Sequence, residues 1–163
     1  RDKMTNYRRL TYGGVLGALV FLGTYFLKVP IAYGYIHLGD GMILISSILL
    51  GPFAAAPAAV GSALADLVSG YAMYAPFTFV IKALMAVVPA LMVKGSKSSP
   101  AKYVVPFILA EVIMIAGYFL ADSIFWGAEG AIAAAPMNAI QAVSGVVVGY
   151  IGASVIRKNS ISI

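Results

Sequence analysis

Six apolar runs divide this chain, and their lengths leave few folds open to it. They lie at about residues 7–27, 40–50, 52–70, 76–93, 101–126 and 131–156, with Gly51-Pro52 as a tight break between the second and third. Most approach the roughly 20 residues a helix needs to cross a hydrocarbon core of about 30 Å. The 163 residues are 61% hydrophobic and 10% charged, well above the apolar half typical of soluble domains. The expected fold is therefore an all-α membrane protein: one polytopic domain over residues 1–163 with six transmembrane helices. The first run is too long for the apolar region of a signal peptide, and no A-x-A site follows it, so it reads as the first span. The second run is short for a crossing, and is expected to extend back into the preceding loop or to tilt little.

The cations give an orientation. With both termini in the cytoplasm, the inner segments carry Arg1, Lys3, Arg8, Arg9, Lys94, Lys97, Lys102, Arg157 and Lys158, while the outer loops keep Lys28. That bias is the positive-inside pattern, and it accounts for the net charge of +5 without nucleic acid. The segments "YIH", "SGYAMYAP" and "FWGAEG" then lie outside. Tyr25, Tyr33, Tyr35, Tyr71, Tyr74, Phe125 and Trp126 gather near the outer interface, in part as an ordinary aromatic belt.

Ionisable groups within spans cost at least roughly 2.5–3.5 kcal/mol at mid-bilayer, so each needs a partner, water or a ligand. Glu111, Tyr118 and Asp122 share one helix face, with Trp126 a further turn outward; Thr78 and Lys82 share another, as do Asn138 and Gln141. Lys82, Asp122, Tyr118, Asn138, Gln141 and Asp66 all fall in the outer half of the membrane. Such agreement in depth points to a water-accessible cavity opening outward. The plainer reading is that Lys82 pairs with Asp66 or Asp122 to hold helices together, and that Glu111 is structural. His37 lies in a loop, and Asp40 is expected to cap the second helix.

Small residues recur at helical spacing. Ala54, Ala58, Gly61 and Ala65, and likewise Gly145, Gly149 and Ala153, suit close packing between helices. On the first helix, Gly13 with Gly17 and Gly14 with Ala18 form a wide flat stripe, as open to docking a partner as to internal packing. Catalytic constellations are missing. There is no cysteine, one histidine cannot build a zinc site, and "KGSKSSP" lacks the spacing of a phosphate loop. The chain reads as neither an enzyme nor an ATPase, and no metal or cofactor is expected. An ion-coupled carrier using Lys82, Glu111 and Asp122, or a purely structural membrane subunit, stays open beside a binding subunit.

The small-residue stripe of the first helix, the outer loop running into "HLGDGMILISSILLGP", and the stretches "GSALADLVSGY" and "APFTFVIKALMAVV" resemble the substrate-binding S components of energy-coupling factor (ECF) vitamin transporters. The subfamily most similar is that assigned to vitamin B6 (pyridoxine) or hydroxymethylpyrimidine. The resemblance implies a monomeric six-helix bundle in the cell membrane that captures a vitamin-like molecule near its outer face, under a lid formed by residues 28–38. It implies docking through Gly13, Gly14, Gly17 and Ala18 on a membrane T component with two ATPase subunits, which hydrolyse the ATP. Carried onto this chain, Tyr33, Tyr35 and His37 become lid contacts and Tyr118 or Trp126 a stacking surface. Asn138, Gln141 and Asp122 become readers of ring nitrogen and hydroxyls, and Lys82 a partner for a phenolate or phosphate oxygen.

Overall fold

The computed structural model describes residues 6–32, 34–93 and 98–161. Arg1, Lys3, Tyr33, Lys94 and Lys97, named above, lie outside the described residues. Helix α1 spans Asn6–Tyr25, and an antiparallel hairpin follows, β1 (Lys28–Ile31) with β2 (Gly34–His37), in which Lys28 pairs with His37 and Ile31 with Gly34. Because residues 28–37 are committed to this hairpin, helix α2 (Gly39–Leu50) does not extend back into the loop, the first of the two alternatives expected for it. It runs forward instead, through a 3-10 turn at Gly51–Ala54, into α3 (Ala55–Ser69). Gly51, at φ 61° and ψ −146°, makes that break. Gly70, at φ 85°, ends α3 by letting the Tyr71 N–H reach back to the Asp66 carbonyl at 2.9 Å.

Helix α4 (Ala75–Met92) follows, and a 3-10 turn at Pro100–Tyr103 leads into α5 (Val104–Lys158). A straight helix of 55 residues would be about 80 Å long. Gly127, at φ 75° and ψ 179°, breaks it instead. The chain doubles back there: Glu111 on the first arm lies against Gly145 on the second, and Phe107 against Gly149. The fifth and sixth apolar runs of the sequence are these two arms.

Three helical stretches, Gly39–Ser69, Ala75–Met92 and Pro100–Lys158, are long and apolar enough to cross a membrane. Leu, Val and Ile side chains stay exposed along α1, α3, α4 and both arms of α5. The fully buried apolar centre, with Ile43, Leu44, Met85, Phe107 and Met114, lies where α2, α4 and α5 meet. Helix α1 is held on the other flank by α2 and α3. Gly61 permits that approach, because a Cβ there would lie 2.5 Å from the Gly17 carbonyl oxygen.

Candidate ligand-binding site

The hairpin roofs one end of the bundle, and four side-chain bonds fasten it. Lys28 Nζ donates to Ser69 Oγ at 2.6 Å, and the Tyr35 hydroxyl donates to Asp66 Oδ1. The Tyr71 hydroxyl donates to the Gly34 carbonyl at 3.3 Å, and the His37 backbone N–H to Gln141 Oε1 at 3.1 Å. The hairpin is thereby tied to the end of α3, to the α3–α4 turn and to the second arm of α5. Beneath it is a cavity of about 40 Å³ lined by Tyr35, His37, Asp66, Tyr71, Tyr74, Tyr118, Asp122, Asn138 and Gln141, with Ile31, Gly34 and Ala134 completing the wall. At roughly 10–15 Å³ of such space per water molecule, it holds a few waters as it stands. A ring-sized ligand therefore has to displace the roof or an aromatic side chain.

Four tyrosines make much of the wall. Ring centroids are 5.0 Å apart for Tyr35 and Tyr71, 6.3 Å for Tyr71 and Tyr74, and 6.4 Å for Tyr74 and Tyr118. Burial, and then the Asp66 charge, push the Tyr35 hydroxyl up from its ordinary pKa. Burial and the bond to Asp122 do the same for Tyr74. Both remain phenols and hydrogen-bond donors. His37 is neutral, since burial pulls its pKa down to about 4 against the smaller opposing pull of Asp40. Its Nδ1 accepts from the Gly39 N–H at 3.1 Å, so the ring proton sits on Nε2.

Behind the cavity lies a buried charge cluster that differs from the expectation. Lys82 pairs with neither Asp66 nor Asp122. Its Nζ is 2.5 Å from Asp40 Oδ1, and both side chains are 0% exposed. Nor does Asp40 cap α2: the helix has no side-chain cap, its N-cap residue is Leu38, and the carboxylate turns inward. Asp40 Oδ2 accepts from Gln141 Nε2 at 2.7 Å, which leaves Gln141 Oε1 facing the His37 N–H. Lys82 Nζ also stands 5.2 Å from the Tyr118 ring centroid. Glu111, 2% exposed, has no hydrogen-bond partner among the described residues for either carboxylate oxygen.

The structure thus brings Tyr35, His37, Tyr118, Asp122, Asn138 and Gln141 around one cavity, and places Lys82 and Trp126 outside its lining. Trp126 is 47% exposed, and its Nε1–H donates to the Tyr74 hydroxyl at 2.7 Å. That hydroxyl donates in turn to Asp122 Oδ1 at 2.6 Å. Reading the sequence did not single out Tyr71 and Tyr74, which looked like interfacial belt, or give Asp66 a ligand role.

The family model described as "ECF-type riboflavin transporter, S component" matches residues 4–158, nearly the whole chain. The chain belongs to the S components of ECF transporters. It is 35% identical over 124 residues to a Pyrococcus woesei protein described as "Uncharacterized protein in gap 3'region", an alignment covering 76% of this chain and 82% of that one. It also resembles a solved structure described as the S component of a bacterial ECF transporter, with a TM-score of 0.71 over 96% of this chain and 97% of the other. Identity there is 17%, so the likeness is one of fold. S components are integral membrane proteins and the substrate-binding subunits of transporters, not enzymes, and they associate with T and ATPase modules.

On this S component, the small-residue stripe of α1 opens onto an apolar groove of about 500 Å³ between α1 and the 3-10 turn and α3. Gly13, Gly14, Gly17 and Ala18 all line it, opposite Phe53, Pro57, Val60 and Leu64. The four differ in access. A Cβ on Gly13 would lie 3.0 Å from the Phe53 ring and one on Gly17 3.3 Å from Pro57, whereas one on Gly14 would meet no described residue within 4 Å. Gly14 and Ala18 are exposed.

Proposed function

We propose that this S component is the capture subunit of an ATP-driven vitamin importer in the cell membrane. Its cargo on this reading is a small single-ring heterocycle of the pyridoxine or hydroxymethylpyrimidine kind. The observation that carries the reading is the cavity under the hairpin, where phenols, carboxylates, a neutral imidazole and an amide converge inside a bundle that is otherwise apolar. Closed down to about 40 Å³, that space asks less rearrangement of a single ring than of the three-ring system of riboflavin, the molecule in the matched family's description.

The proposal extends to topology and partners. The whole chain forms one six-span monomeric unit with both termini in the cytoplasm, the two arms of α5 counting as separate crossings, and the hairpin faces outside. The groove on α1 receives the T component, which carries two ATPases, and the S component needs no cofactor of its own. Tyr118 offers a stacking face, and Asn138 and Asp122 hydrogen bonds. Lys82 and Trp126 serve the site from behind, through Asp40 and Tyr74.

Calorimetry on the detergent-solubilised chain, freed of co-purified small molecules, tests the capture role against pyridoxine, pyridoxal, pyridoxamine, hydroxymethylpyrimidine, thiamin, riboflavin and pantothenate. One-to-one submicromolar binding of one compound is expected, with uptake into vesicles appearing once T and ATPase subunits are present. Silence with every compound, from a folded and empty sample, would end the reading. A second reading, an ion-coupled carrier, draws on Glu111, whose unpartnered carboxylate lies beside the Asp40–Lys82 pair. It predicts pH-dependent uptake by this chain alone.

A further inference from the structure

The charge of the cavity is one-sided. Asp66 and Asp122 are in its wall, and among the described residues that line it there is no lysine or arginine. The two nearest cations are already engaged. Lys82 is sealed on Asp40, and Lys28 is bonded to Ser69 and lies over the Tyr25 ring at 4.3 Å. Asp66 is 5% exposed; Tyr35 donates to its Oδ1, the Thr78 hydroxyl lies beside the carboxylate, and its Oδ2 makes no close hydrogen bond among the described residues. A buried carboxylate oxygen left in that state costs free energy that a donor from a ligand would recover. Tyr35, Tyr71, Tyr74 and Tyr118 stand around it, each with a π face that attracts positive charge.

We propose that this cavity selects a flat heterocycle bearing an amine or amidine group, which it receives on Asp66 among the tyrosines, and that it rejects phosphorylated and carboxylated molecules. This rests on the reading that the cavity is the cargo site, and narrows it. A cation entering the cavity meets carboxylates and ring faces. A phosphate meets the same carboxylates in a low-dielectric space with no cation among the described lining residues to pair with it. The Tyr35 hydroxyl already donates to Asp66 Oδ1, so the ligand's N–H completes the carboxylate through Oδ2, and the hairpin can stay fastened over the bound molecule. The neutral His37 adds an Nε2–H donor, suited to a ring nitrogen or hydroxyl oxygen of the same ligand. The expectation that Lys82 holds a phosphate oxygen gives way here, because the pairing that buries Lys82 also leaves the cavity acidic.

Three probes that share one ring separate the cases: pyridoxamine, pyridoxine and pyridoxamine 5′-phosphate, with riboflavin as a large neutral fourth. Each is titrated by calorimetry into the full chain in detergent. Pyridoxamine is expected to bind at least tenfold more tightly than pyridoxine, with no heat from the phosphate ester. Asp66→Asn should weaken pyridoxamine by tenfold or more and pyridoxine by less than threefold. Asp122→Asn gives a second reading of the same contrast where Asp66→Asn fails to fold. Tighter binding of pyridoxine, the phosphate ester or riboflavin would overturn the charge preference while leaving the cavity as the cargo site. Equal losses for both vitamers on substituting Asp66 would overturn its role as the receiving group. Absence of heat from all four probes, from a folded and empty sample, would overturn the proposal, while the cavity's role as cargo site stands or falls with the seven-compound titration above.

Discussion

Lys82→Met tests the buried charge pair on which the site is built. Lys82 and Asp40 are both fully buried with Nζ 2.5 Å from Oδ1, so the substitution leaves a carboxylate in the bundle with Gln141 Nε2 as its remaining hydrogen-bond donor. Removing one partner of such a pair costs about 3–5 kcal/mol, most of it the penalty of the charge left behind. Methionine fills much of the lysine stem's volume, so little of that loss is a cavity effect. For a chain of this length each 1 kcal/mol moves Tm by roughly 2–4 °C, which puts the expected fall near 10 °C. The double variant Asp40→Asn/Lys82→Met removes both charges and should recover more than half of the loss, the signature of coupled sites. The assay is a thermal melt of ligand-free protein in one detergent, followed by far-ultraviolet circular dichroism. A Lys82→Met melt within 2 °C of the parent, or a double variant whose loss is the sum of the two single ones, would refute the argument that this pair holds α2 to α4.

Three further outcomes are expected. Gly61→Ala should cost about 1–3 kcal/mol, because its Cβ would crowd the Gly17 carbonyl oxygen and force α1 off α3; an unchanged melt would refute the close approach. Gly14→Leu should leave folding and ligand binding intact, since a side chain there meets open space, while abolishing co-purification with the T component; intact co-purification and uptake would remove the docking role of the groove. His37 is neutral when folded, with a pKa of about 4 against an ordinary 6.5, so between these values the unfolded chain binds more protons. Stability should therefore fall as pH drops from about 6.5 to 4, by about 3 kcal/mol in total. His37→Gln should flatten that part of the pH profile, as read by melts at pH 7, 6 and 5.

What the sequence made legible was position along each helix axis, and what it hid was rotation about that axis. Gly51-Pro52, Gly70 and Gly127 mark breaks that backbone chemistry imposes locally, and the apolar runs between them became helices within a few residues of their expected ends. Depth was legible for the same reason: helical spacing and the alternation of loops put Tyr118, Asp122, Asn138 and Gln141 at one level, and they share a cavity. The partner of Lys82 was not, because choosing among Asp40, Asp66 and Asp122 needs the angle at which α4 faces its neighbours. Asp40 misled for a related reason. With Leu38 at the N-cap, it stands two residues past the capping position, on the face turned towards α4 and α5. The hairpin was hidden by Pro30, which weakens a strand reading of "KVPIAYGYIH" yet is tolerated in a two-stranded ribbon with an open edge. These hidden angles set the chemistry of the site. Had Lys82 faced Asp66, the cavity would present a cation and one fewer free carboxylate oxygen, and an anionic cargo would suit it. Because Lys82 turns to Asp40, Asp66 stands among the tyrosines without a paired lysine, and the proposed charge preference of the site follows from how α4 is rotated against α2.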